Sequence, residues 1–175
     1  MLKRINAERG TQRVKEHIQN FLIVSVAYIT AYSLVLGFIA PLQQMLLNTV
    51  ILDVSLLFLP HGIRVLSFWF FGWRAAIYLL PAAYLMMVVS AQAGITLDLW
   101  SPLGNILACL VGFLFAKAAF PDLATKRGIP NWKYFGIIAL FSSLFNSLGM
   151  TALHAHELNL SIASGYVIGD MAGFF

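Results

Sequence analysis

The chain has 175 residues, 60% of them hydrophobic and 10% charged, with mean hydropathy +0.82. A soluble domain is nearer ~45–50% apolar and ~25% charged. Composition therefore excludes a water-facing globule, and the long apolar runs require an integral membrane protein with the lipid bilayer as its first partner. The net charge of +4 does not indicate nucleic acid, because the basic residues gather at the ends of apolar runs, where topology determinants sit. One cysteine, Cys109, lies in an apolar run, which removes intrachain disulfides and cysteine-rich metal sites.

Residues 1–20 form a basic leader, with Lys3, Arg4, Arg9, Arg13 and Lys15 against Glu8 and Glu16. Leu2, Ile5, Val14 and Ile18 fit a short amphipathic helix on the cytoplasmic surface, and a solvated tail fits equally well. The next run, 21–40, is long enough to span and has no small-residue cleavage site after it, so it reads as an uncleaved first span. A second span is expected at 45–59. Pro41 and Pro60 are expected to end these two helices, since proline lacks a donor and restricts the residue before it. Further spans are expected at 74–93, 103–120, 134–153 and 160–175, and together these form a single transmembrane domain over 21–175. The second and sixth are short: about fifteen residues rise about 24 Å, against ~30 Å of hydrocarbon. The sixth closes on Phe174 and Phe175 without a basic stop signal. That ending is expected of a chain that continues further or packs against another subunit.

The connections set an orientation. The leader, the Arg64–Arg74 segment and the 121–133 loop with Lys126, Arg127 and Lys133 are basic, whereas the 94–102 and 154–159 loops carry no Lys or Arg. Six crossings from a cytoplasmic N-terminus put every basic connection inside and the C-terminus inside as well. The fold expected is an all-α polytopic bundle of about six transmembrane helices. A short interfacial helix is expected near 63–71, with Trp69, Trp73 and Arg74 as headgroup anchors.

Small residues at every fourth position mark close helix contacts in lipid. Gly104, Ala108, Gly112 and Ala116 keep this register in the fourth span. Gly165, Gly169 and Gly173 keep it in the sixth, and Ala27 and Ala31 in the first.

Charged groups inside spans are costly and are therefore candidate functional residues. Asp53, His61, Arg64 and Asp170 are the ionisable candidates, and Asn48, Asn105 and Asn146 are polar within or near apolar runs. Arg64 has two possible partners: Asp53, if the chain folds back at Pro60 and Gly62, or Asp170 from the sixth span. Such a cluster either binds a ligand or proton or serves as a structural salt bridge. His154 and His156 stand in a HAHE loop; as a pair alone they make a weak metal site, because helix positions i and i+2 do not face each other. No phosphate loop, nucleophile elbow, cysteine metal pair or haem motif occurs, so neither catalysis nor a cofactor is expected.

LPHG at 59–62, GWR at 72–74, Gly104-Asn105 and Gly169-Asp170, in that order, resemble the bacterial membrane-associated sensor (MASE-type) domains over about 57–175. That resemblance implies an all-helical sensory module in the bacterial cytoplasmic (inner) membrane. The chain departs from the family's pattern in having fewer spans and in placing His61 where a small residue is common. A weaker resemblance, architectural only, is to substrate-binding components of energy-coupling-type vitamin transporters, where alanines like Ala27 and Ala31 dock a partner subunit. Three functions follow as expectations: a non-catalytic sensor-like or ligand-binding module, a small accessory subunit of a larger membrane complex, or a solute-uptake component. Other membrane subunits or a second copy of the chain are the expected protein partners.

Overall fold

The computed structural model describes residues 2–46, 55–92, 98–121, 132–153 and 160–175. All regular elements among them are helical. Helix α1 (Leu2–Leu34) passes through a π-helical segment (Val35–Ile39) into α2 (Ala40–Leu46). Then follow α3 (Leu59–Phe71), α4 (Arg74–Gln92), α5 (Ser101–Ala119), α6 (Trp132–Leu153) and α7 (Leu160–Phe174). Among the described residues, four helical stretches are long and apolar enough to cross a membrane: Gly10–Leu46, Arg74–Gln92, Ser101–Ala119 and Trp132–Ala152. Their outer faces expose Ile23, Val26, Ile77, Val88, Leu114 and Leu148, apolar side chains suited to lipid.

The first helix does not stop at Pro41. A proline ring inside a helix collides with the carbonyl four residues back, here that of Gly37. The wider π turn at Val35–Ile39 precedes the proline, and the helix continues to Leu46. Nor is the leader separate from the span, because α1 runs unbroken from Leu2.

The span expected at 45–59 needs correction. Met45 and Leu46 close α2, residues 55–58 are not helical, and Leu59 opens α3. Residues 47–54, with Asn48 and Asp53, lie outside the described residues. Pro60 starts a helix rather than ending one. It stands in the first turn of α3, where its missing N–H leaves no hydrogen bond unmade.

The interfacial helix is corrected too. Helix α3 has 13 residues, about 20 Å of rise, and touches α1, α4, α5, α6 and α7. Pro60, His61, Gly62, Arg64, Val65, Ser67 and Phe68 along it are buried. It is the hub of the bundle, not a helix resting on a surface. Trp69 is only half-exposed and packs on Tyr134 at 5.1 Å and Phe135 at 4.6 Å between ring centroids, so it is a packing residue rather than an anchor. Trp73 and Arg74 are exposed. Between α3 and α4 the chain turns at Gly72, whose φ of 57° is open to glycine at little cost.

The small-residue faces are used as close contacts. Helices α5 and α6 make the most extensive helix pair. A Cβ on Gly112 would run into the backbone and hydroxyl of Ser142, and Ala108 and Ala116 are buried on the same face. On α7, Gly169 and Gly173 face the carbonyls of Ser55 and Phe58. The α7 glycine face therefore receives a non-helical stretch of backbone, not only a helix.

Candidate functional site

Residues 55–58 form a bent, non-helical stretch that is partly buried against α7, and their backbone groups need partners. The Leu56 N–H donates to Gln43 Oε1 at 2.8 Å, and the Phe58 N–H donates to the Gly169 carbonyl at 2.9 Å. Helix α2, reached through the π turn, thus supplies one acceptor, and the α7 glycine face supplies the other. Gly62 permits the next contact, since a Cβ there would lie 2.8 Å from the Gly173 carbonyl. These approaches hold the first turn of α3 against α7 and bring His61 and Arg64 to Asp170.

The cluster is compact. Arg64 Nη2 lies 3.6 Å from Asp170 Oδ1, and His61 Nδ1 lies 3.4 Å from Asp170 Oδ2. Asn146 Nδ2 on α6 donates to Asp170 Oδ2 at 2.9 Å. His61 Nε2 is 3.2 Å from the Ala139 carbonyl, which can only accept, so Nε2 bears a proton. The side chains of His61 and Arg64 are 1% exposed and that of Asp170 3%. The Arg64 guanidinium also lies over the Phe58 ring, 5.5 Å from its centroid. Tyr28 and Tyr32 on α1 and Cys109 on α5 are within electrostatic range of Arg64.

Of the two partners open to Arg64, the structure places Asp170 beside it, while Asp53 lies outside the described residues. His154 and His156 lie outside them too. Asn105 stands one turn before Cys109 on α5, with Oδ1 buried and without a hydrogen-bond partner. No hydrogen bond or ion pair joins it to the cluster among the described residues. No group of three or more metal-ligating side chains converges among the described residues.

Sequence reading did not place Asn146 in the cluster, and it overlooked the polar face of α6. Ser142, Ser143, Asn146 and Ser147 are all buried. Ser147 Oγ donates to the Ala163 carbonyl at 2.8 Å and Ser143 Oγ to the Val167 carbonyl at 3.5 Å, which fixes α6 and α7 as antiparallel neighbours beside Asp170. The signal was available: polar residues at i, i+3 and i+4 along an apolar span mark a protein-facing stripe.

Several polar atoms of the cluster stay unpartnered while buried: Arg64 Nε and Nη2, His61 Nδ1 and Asn146 Oδ1. Compared with protein-family models, curated proteins and solved structures, the chain finds no match.

Proposed function

We propose that the chain is a non-catalytic integral membrane protein, a sensor-like or ligand-binding module whose responsive element is the His61, Arg64, Asp170 and Asn146 cluster. One observation carries this reading: an arginine and a histidine with hydrogen-bonding capacity unspent lie buried against a buried carboxylate. Replacing a buried ion pair with apolar groups is often neutral or stabilising. Stability alone therefore does not account for these residues, and ionisable groups in a membrane bundle are functional candidates by default.

In this reading the chain crosses a bacterial cytoplasmic membrane six times with both termini cytoplasmic. Residues 55–58 and α3 together make the second crossing, and α7 makes the sixth. The sequence resemblance to MASE-type domains adds support, because Pro60, His61 and Gly62 of one motif and Gly169-Asp170 of another belong to the contact that builds the cluster.

A thermal-shift panel in mild detergent tests the proposal, using small polar solutes and steps of pH. At least one condition is expected to shift the midpoint of the wild type and to leave the double variant Arg64→Met, Asp170→Asn unmoved. If every condition acts equally on both proteins, and the wild type is recovered only within a larger complex, the chain is an accessory subunit instead.

A further inference from the structure

His61 is bracketed by two acceptors. Its Nε2 faces the Ala139 carbonyl, which takes the one proton a neutral imidazole has to give. Its Nδ1 then faces Asp170 Oδ2 at 3.4 Å with a lone pair and no hydrogen-bond partner. A lone pair against an anionic oxygen repels. The arrangement is one proton short of complementary.

We propose that His61 and Asp170 form a proton-binding site at the junction of α3, α6 and α7, so that the ligand of this module is the proton. The inference rests on the functional reading above and names its ligand. A proton from water binds at Nδ1, the neutral imidazole becomes imidazolium, and an Nδ1–H···Oδ2 hydrogen bond forms. No bond breaks within the protein, and the net charge of His61, Arg64 and Asp170 rises from zero to +1. If the same proton rests on Oδ2, the carboxylic acid donates to Nδ1 and the total is unchanged; the two forms are one site.

The close packing favours a proton over a larger ligand. His61 and Arg64 are 1% exposed and already within 4 Å of Asp170, itself 3% exposed, and Nδ1 and Oδ2 face each other without a hydrogen bond between them. The charged and titratable groups that act there come from four elements. Asp170 on α7 lies 3.4 Å from Nδ1, and Arg64 on α3 lies 3.6 Å from the same carboxylate. Tyr28 and Tyr32 on α1 and Cys109 on α5 are within electrostatic range of Arg64. Asn146 on α6 is neutral and holds Oδ2 in place. With the proton bound, α3 is tied to α7 through two charged contacts instead of one.

The test uses the full chain in lipid nanodiscs with His17, His154 and His156 replaced by Gln, so that His61 is the one labelled imidazole. Nitrogen-15 NMR from about pH 8 to about pH 4 spans the ordinary histidine and carboxylate ranges. Nδ1 is expected to move from an unprotonated to a protonated shift, or the infrared difference spectrum is expected to show Asp170 gaining an acid C=O band. Asp170→Asn is expected to abolish either change. Should that variant not fold, carbon-13 aspartate in a chain with Asp53, Asp98 and Asp122 replaced by Asn leaves Asp170 as the one labelled carboxyl and assigns the band in the folded protein. The proposal is overturned if Nδ1 stays unprotonated while Asp170 stays ionised across the whole range. A polar solute that still shifts the wild type, and not the double variant, would then leave the broader functional reading standing.

Discussion

Removing Arg64 tests whether the cluster is an interacting unit. At 3.6 Å, and with an effective dielectric of ~20, opposite unit charges attract by about 4–5 kcal/mol. Arg64→Met keeps most of the side-chain volume and deletes the charge. Asp170 is then left buried with Asn146 as its one close donor and with the His61 lone pair beside it. Deleting one partner of a buried ion pair typically costs about 3–5 kcal/mol, so Arg64→Met is expected to lose about that much. Asp170→Asn removes the complementary charge, and the double variant is expected to recover much of the loss, because no uncompensated charge remains. Unfolding in mixed micelles by titration with sodium dodecyl sulfate, followed by tryptophan fluorescence, gives the cycle. The Arg64→Met deficit is also expected to shrink as the pH is lowered, because a protonated His61 takes over as the counter-charge. A single variant within about 0.5 kcal/mol of the wild type, or two losses that simply add, would refute the reasoning.

Gly173→Ala and Gly169→Ala are expected to destabilise strongly in the same assay, because each new methyl meets the backbone of residues 55–58; Gly136→Ala, with open space around it, is expected to be neutral or to gain about 0.5–1 kcal/mol. Gly112→Ala is expected to force α5 and α6 apart at Ser142, read as a lower thermal midpoint, and Ser142→Gly in the same chain is expected to restore part of it. Trp69→Ala is expected to lose about 3 kcal/mol, whereas Trp73→Ala, at a residue 62% exposed, is expected to change stability by less than about 1 kcal/mol.

Helices α4 to α7 were legible in the sequence because each is one apolar run bounded by polar or proline residues, and their ends fall within about two residues of the hydropathy reading. The region around α3 was not. Its apolar residues reach back through 45–59 with no proline or glycine between them, so composition cannot separate a straight span from a non-helical stretch followed by a half-length helix. Pro60 was ambiguous for a related reason, since proline marks either boundary of a helix. The same limit applied to the aromatic run SFWFFGW. Tryptophans beside arginines fit a headgroup belt, and only the burial of Arg64 and Phe68 distinguishes a hub from a surface helix. In the site, the ionisable residues stood out by their rarity. Asn146 and the serines of α6 did not, because small polar residues are common in spans and gain meaning only from the helix they face.

Phe58 and Gly169 lie far apart in the sequence, yet the N–H of Phe58 donates its hydrogen bond to the carbonyl of Gly169. During synthesis the first half of the chain therefore enters the bilayer with the Phe58 N–H lacking its acceptor and with Arg64 lacking its counter-charge. Both deficits are made good together when α7 arrives. A chain released before α7 would therefore present an unpaired arginine to the machinery that clears unfinished membrane proteins.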